Sequence, residues 1–282
     1  MVAASLSIII PTFNRAERLK KAIQSVLRQS QPCNEIIVVD DGSCDATRKV
    51  VEEFENRNTP LKYYYQKNKG PAAARNLGIE KSECDFIAFL DSDDHFHKKK
   101  IEKQYCELQK NNDYLISHTY EKWYRRGVHL NQKKIHIPRH GMIFDHCLQL
   151  CAVGMSTVMV RKELFDKVGL FDESFRCCED YDFWLRVSYR YPFLLVPEKL
   201  TIKEGGREDQ VSCQYRVGMD KLRVYAIEKL LKDKVLDEPQ TVLAIEELIK
   251  KAQIYGSGCK KHGNIQEADF FLNLAKRYKT KF

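Results

Sequence analysis

The stretch from Phe86 to Asp94 restricts the fold more than any other: Phe-Ile-Ala-Phe-Leu runs straight into Asp-Ser-Asp-Asp. An apolar run without polar alternation fits a short strand buried on both faces, as found inside a largely parallel sheet. Asp91, Asp93 and Asp94 cannot extend that strand, because crowded carboxylates repel one another unless water or a cation compensates them. They fall at its C-terminal end, the edge where open α/β sheets collect ligands. Two readings fit. A turn brings Asp91 and Asp93 onto one hard cation, Mg²⁺ or Mn²⁺, bridging to phosphate, or a solvated acidic turn simply ends a core strand.

The residues before this strand show what sheet it belongs to. Leu6 to Ile10 is a short apolar strand stopped by Pro11. Thr12-Phe13-Asn14 follows, with Asn14 and Glu17 spaced as a helix capping box. Leu19, Ala22, Ile23, Val26 and Leu27 then carry the helical period. Glu35 to Val39 is a second strand that also ends in acids, Asp40-Asp41, and Ser43 or Asp45 is placed to cap a helix with the stripe Val50, Val51 and Phe54. Leu61 to Tyr65 reads as a third strand, and Gly70 to Gly78 opens a helix of small residues. This alternation predicts a mostly parallel, Rossmann-like sheet flanked by helices on both faces, with the acids of both strands facing one crevice.

Further along, Ile101 to Gln109 and Tyr181 to Tyr191 read as helices, Gly141 to Leu150 and Arg161 to Val168 as shorter ones. Tyr114 to Ser117, Ser156 to Val160 and Leu194 to Val196 read as strands. Lys122 to His140 is basic and aromatic with weak periodicity, which predicts a hairpin or long loop over the active side. Leu222 to Leu231, Val242 to Tyr255 and Ala268 to Tyr278 are amphipathic helices. The expected division is an α/β domain over 1–213 and a helical extension over 214–282.

Several classes lose their support. No Gly-x-Gly-x-x-Gly follows the first strand and no Walker loop is present, against dinucleotide oxidoreductases and P-loop enzymes. The formal charge of +8 is spread along the chain, and no nucleic-acid-binding motif accompanies the short lysine clusters. No signal peptide or membrane-spanning stretch is evident. The expected location is cytoplasmic, with peripheral contact at the inner membrane face and dimerisation left open. The ten cysteines form no paired zinc pattern and read as reduced thiols.

Taken in order, five motifs resemble the family 2 glycosyltransferases, inverting enzymes of the nucleotide-diphospho-sugar transferase A-type fold. They are Ser7 to Arg15, Glu35 to Ser43, Asn68 to Asn76, Phe89 to Asp94, and Glu179 to Arg186. The likeness covers roughly residues 5 to 215. It implies that Pro11, Thr12, Phe13 and Asn14 wall a nucleotide pocket. Asp41, supported by Asp40, would accept from the base N–H, and Arg75 would lie near Asp41, the base or the phosphates. Within Asp91-Ser92-Asp93, Asp91 would serve the ribose and Asp93 the divalent cation bridging both phosphates, with Asp94 supporting the shell or touching the donor sugar.

The same resemblance makes Asp180 the general base, Glu179 its orienting or acceptor-binding neighbour, and Trp184 a sugar platform or a core residue. Relatives often carry a histidine where this chain has Arg207. A guanidinium cannot ligate a metal but can pair with diphosphate oxygens. The implied function is a metal-dependent inverting glycosyltransferase, using Mn²⁺ or Mg²⁺. It would move a sugar from a nucleotide-diphosphate donor, UDP-sugar favoured, to a carbohydrate or lipid-linked glycan acceptor in polysaccharide synthesis. The alternatives are a nucleotide-sugar-binding protein with weakened or lost transfer and, less supported, a nucleotidyltransferase.

Overall fold

A computed structural model describes residues 4–55, 59–206, 215 and 217–280. The first third alternates as the sequence predicts: β1 (Ala4–Thr12), α1 (Ala16–Leu27), β2 (Cys33–Asp40), α2 (Thr47–Glu55), β3 (Leu61–Tyr65), α3 (Pro71–Lys81) and β4 (Phe86–Phe89). β1 lies parallel between β2 and β4, with Thr12 opposite Asp40 and Ile9 opposite Phe89. β3 adds parallel to the outer side of β2. All four strands therefore finish at one edge.

Strand residues alternate between two apolar layers because successive side chains point to opposite faces. Ile8, Ile10, Ile36, Val38 and Ala88 pack with Leu19 and Ile23 of α1, Val51 and Phe54 of α2 and Ile101. Ile9, Ile37, Val39, Ile87 and Phe89 pack with Ala72, Ala74 and Ile79 of α3 and with Phe183 and Trp184. Each fully buried aliphatic or Phe side chain contributes about 1.5–3 kcal/mol. The small-residue run of α3 has a visible purpose: a Cβ added at Gly78 would lie 2.4 Å from Ile9 Cγ2.

The rest of the chain adds β5 (His95–Phe96), α4 (Lys100–Lys110), β6 (Ile116–Arg125), β7 (Val128–Leu130), α5 (Phe144–Gln149), β8 (Met159–Arg161), α6 (Glu163–Val168), α7 (Glu179–Ser188) and β9 (Phe193–Gly205). The described strands form one sheet in the order β3-β2-β1-β4-β8-β6-β9-β5, with β7 hairpinned onto β6. β8 runs antiparallel to both β4 and β6, so β6 runs with β4 and pairs parallel with β9. Val160 of β8 faces Ile87 on one side and Ile116 on the other. The later halves of β6 and β9 therefore project past the sheet on the ligand-collecting side. Both are longer than the sequence suggests, because their projecting halves are only partly buried and carry polar residues.

Three helices follow: α8 (Met219–Lys232), α9 (Glu238–Lys261) and α10 (Ile265–Thr280). Val224, Ile227, Leu248 and Phe271 belong to the same apolar cluster as Ile9 and Phe89. Lys229 donates to Asp172 and Asp182, and Lys251 to the Gln149 carbonyl. The expected boundary between 213 and 214 lies outside the described residues. One local expectation is overturned. Asn14 and Glu17 form no capping box; the cap position of α1 is Arg15, without a side-chain cap. The Ala16 N–H is instead satisfied by Asp45 Oδ2, whose Oδ1 accepts from Thr47 N at the start of α2. A carboxylate distant in sequence supplies what the local spacing suggested.

Candidate active site

The ends of β1 and β2 are zipped together. Asp41 N–H donates to Thr12 O at 2.9 Å. Asn14, in the left-handed region at φ 50, donates its N–H to Ser43 Oγ and accepts from Cys44 N–H, both at 2.8 Å. This leaves Phe13 44% exposed beside Pro11, an aromatic face at the strand edge. The Thr12 hydroxyl is buried with no hydrogen-bond partner among the described residues. Asp40 accepts from Ser43 N–H and Tyr63 O–H, both at 2.8 Å. Asp41 accepts from Gln66 Nε2 at 2.6 Å and from the Lys69 and Gly70 N–H groups at 2.8 Å. A carboxylate offers about four acceptor directions, so one remains open.

The acids after β4 divide by environment. Asp94 is buried; Oδ2 accepts from Ser156 Oγ at 2.7 Å and Oδ1 from Glu204 N–H at 3.2 Å. Burial pushes its carboxyl well above the usual range, against the pull of Lys203. It supports the turn. Ser156, which no motif singles out, also accepts from Asp91 N–H at 3.1 Å, and Ser92 is buried between the acids. Asp93 Oδ2 lies 3.1 Å from Arg15 Nη1.

Arg75 stands between the two acidic motifs. Its Nη2 donates to Asp91 Oδ1 at 2.9 Å and its Nη1 to Glu179 Oε1 at 2.5 Å. Burial opposes its charge, and Asp91 and Glu179 more than offset this. Its contacts are thus with these two acids, while Asp41 is fastened to the 66–70 loop. Burial raises the Glu179 carboxyl to about 6, with Arg75 opposing the shift and Asp180 adding to it.

Asp180, beside Glu179 in the first turn of α7, accepts from Tyr181 N–H at 2.7 Å and from the Cys151 thiol at 3.0 Å. Burial and the neighbouring Asp180 hold Cys151 well above its ordinary value, so it stays a protonated donor. The preceding Cys178 caps α7 in the left-handed region at φ 64, with its Sγ 3.8 Å from that of Cys177.

Two expected site residues need comment. Trp184 is no sugar platform: it is 1% exposed and packs between Phe183 and Phe193. Although it lies one turn after Asp180, its indole is taken up by the aromatic core. Trp123, on the projecting half of β6, lines a cavity instead, with Glu121, Cys151 and Lys203. The basic, aromatic composition of that segment was its only signal in the sequence. Arg207 lies outside the described residues.

No group of three His, Cys, Asp or Glu side chains suited to a metal occurs among the described residues. Asp91 is engaged with Arg75, Asp94 with Ser156 and Asp93 with Arg15. One carboxylate fits a Mg²⁺-type site when substrate phosphates and water complete it, with Arg15 sharing the same oxygen.

The α/β sheet that gathers these acids at its strand ends, with a further acid at a facing helix start, has the A-type glycosyltransferase fold of the solved structures it matches. The chain belongs to glycosyl transferase family 2, whose profile matches residues 7–169. An uncharacterized glycosyltransferase of Rickettsia conorii is 35% identical over 227 residues, 79% of this chain and 37% of that protein. This chain thus spans little more than a third of that relative's length. The putative teichuronic acid biosynthesis glycosyltransferase TuaG of Bacillus subtilis is 34% identical over 64% of this chain and 70% of its own. The Escherichia coli UDP-Glc:alpha-D-GlcNAc-diphosphoundecaprenol beta-1,3-glucosyltransferase WfgD is 34% identical over 64% and 69%. In fold, S. aureus TarS 1–349 in complex with UDP-GlcNAc matches with a TM-score of 0.66 at 18% identity, over 96% of this chain and 91% of TarS. The mannosyltransferase PcManGT of Pyrobaculum calidifontis, in complex with GDP-Man and Mn²⁺, matches with 0.66 at 14% identity, over 99% and 83%.

Proposed function

We propose that this chain is an inverting glycosyltransferase that moves a sugar from a nucleoside-diphosphate donor, a UDP-sugar above others, to a hydroxyl of a carbohydrate or lipid-linked glycan. The observation that carries this is the Asp91–Arg75–Glu179 bridge, which joins the donor-side strand end to the helix start bearing Asp180. The base would lie by Phe13 with its N–H toward Asp41, and the ribose toward Asp91. WfgD and TarS, by their names and bound ligand, support a UDP-sugar donor.

Inversion requires the acceptor oxygen to attack the anomeric carbon opposite the departing diphosphate. Asp180 takes the proton from that hydroxyl as the bond forms. The Cys151 thiol and Tyr181 N–H fix the carboxylate, while Arg75 holds Glu179 aside. Asp93 would hold Mn²⁺ or Mg²⁺, which supplies positive charge against the leaving diphosphate.

Asp180→Asn tests this reading. UDP affinity by calorimetry should stay within about twofold, while transfer falls by about 10²–10⁴, the usual contribution of a general base. Equal loss of both would make Asp180 structural. For the cation, removing divalent metal should weaken UDP binding to the intact protein and leave UDP affinity unchanged in Asp93→Asn.

The hairpin side supports peripheral membrane contact at the inner face. No described helix is long and apolar enough to cross a membrane. Val128, Ile135, Ile137 and Met142 are 70, 47, 44 and 54% exposed, beside Arg126, Lys133 and Lys134. Apolar side chains among basic ones suit an anionic lipid surface. Co-sedimentation with phosphatidylglycerol vesicles but not phosphatidylcholine vesicles is expected. Equal behaviour with both removes the electrostatic part.

A further inference from the structure

Beyond the donor edge, the projecting halves of β6 and β9 enclose a cavity of about 340 Å³, within the size of small-ligand sites. Cys151, in its wall, donates to Asp180, and the charge of Lys203, also in its wall, acts on Asp94 and Asp91. The cavity therefore adjoins both the proton acceptor and the donor-side acids.

Its polar groups are set for a ligand. Glu121 is only 7% exposed. Its Oε2 accepts from Trp123 Nε1, while Oε1 has no hydrogen-bond partner among the described residues. Lys203 Nζ stands 4.0 Å from that oxygen, an ion pair beyond hydrogen-bond range. A Cβ at position 154 would come within 2.6 Å of Oε1, so Gly154 keeps the space around it open. A buried acceptor left unpaired is costly, and a ligand hydroxyl donating to Oε1 removes that cost.

The cavity is also cationic. Among the described residues, Arg125, Lys203 and Arg223 line it against one carboxylate, that of Glu121. Arg223 spends Nη1 on Asp220, but its Nε is buried with no hydrogen-bond partner among the described residues. Trp123 and Leu150 supply apolar surface. Hydroxyl acceptance, apolar contact and surplus positive charge together describe one ligand chemistry.

We propose that this cavity seats the acceptor and selects an acceptor sugar carrying an anionic group, a carboxylate or a phosphate ester. One sugar hydroxyl donates to Glu121 Oε1, and the anion is set against Arg125 and Arg223. The proposal rests on the transferase reading, and it places specificity in residues outside the donor machinery.

Trp123 provides the test, since the chain has two tryptophans and the other, Trp184, is 1% exposed. Emission would be followed on the whole protein at saturating UDP during titration with glucuronic acid, glucose 6-phosphate or glucose. At least one anionic sugar is expected to bind about tenfold more tightly than glucose, the scale of one charge-assisted hydrogen bond. The arm that responds identifies carboxylate or phosphate. Arg125→Gln, at an exposed position, should cut this preference to below about threefold. Glu121→Gln, with its fold checked by circular dichroism, should weaken all three sugars.

Equal affinity for charged and neutral sugars, a silent Trp123, or an unchanged preference in Arg125→Gln overturns the proposal. So does UDP alone shifting Trp123 emission and blocking the sugars, which would give the cations to the leaving diphosphate. UDP binding by calorimetry separates the failures. UDP bound beside an unresponsive cavity sinks this inference alone, whereas failure to bind UDP sinks the transferase reading and this inference with it.

Discussion

Arg75 shows how one side chain can hold a site together and also hide its role from sequence reading. The run Ala72-Ala73-Ala74 before it shows that something must approach closely, and Arg75 itself reads as a ligand contact. Its partners Asp91 and Glu179 lie 16 and 104 residues away, and no local spacing indicates which acids a buried guanidinium meets. Arg75→Met should destabilise by about 3–5 kcal/mol in urea unfolding, because it leaves buried Glu179 without its counter-charge. Adding Glu179→Met should recover much of that loss, as apolar replacement of a whole buried pair often does. A double variant no more stable than the single one would show that the pair is not the cause. The tryptophans give the complementary lesson. Helical period correctly locates Trp184 on α7, but its indole packs into the core, and the indole that lines the cavity is Trp123, on a strand with little alternation to read.

At the scale of elements, the opening β/α units were legible because their residues are buried on both faces and their turns are short. Ile8-Ile9-Ile10 and Ile36-Ile37-Val38-Val39 have few alternatives to a central strand. β6 and β9 were readable only in their first halves, where they lie within the sheet; beyond it, partial burial removes the apolar signal. The close approach of α3 to β1 is another feature that spacing alone leaves open, since a glycine within a helix reads first as a weak point. Gly78→Ala should cost about 1–3 kcal/mol through overpacking against Ile9, even though alanine is the better helix former. A gain in melting temperature for Gly78→Ala would mean that α3 can shift away from the sheet.

For the whole molecule, the fold was recoverable from sequence and the site only in its list of acids; which of them are engaged, and with what, follows from contacts across the chain. Two buried bases make global stability depend on pH. Burial lowers His118 from 6.5 to about 4 and Lys100 from 10.5 to about 7. In each window the unfolded chain still holds the proton of that base while the folded one has released it, so the base's own contribution to stability rises with pH. The raised carboxyls of Glu179 and Asp94 in the lower window, and the raised buried thiols of Cys33 and Cys147 in the upper, act the other way. The difference in urea-unfolding stability between the wild type and His118→Phe should therefore shift in favour of the wild type from pH 4 to 6.5, by on the order of 3 kcal/mol at most. That between the wild type and Lys100→Met should do the same from pH 7 to 10.5. Differences that do not change with pH would show that neither base is the cause. The bridge through Arg75 also has a consequence for synthesis. Chains leave the ribosome from the N-terminus, and their early portions begin folding first. The strands β1, β2 and β4 are all present by Phe89, yet the Arg75 guanidinium lacks its second counter-charge until Glu179 emerges. The nascent protein thus carries an unfinished charge through much of its translation, and this edge of the sheet takes its final shape only when the helix that begins with Glu179 and Asp180 arrives.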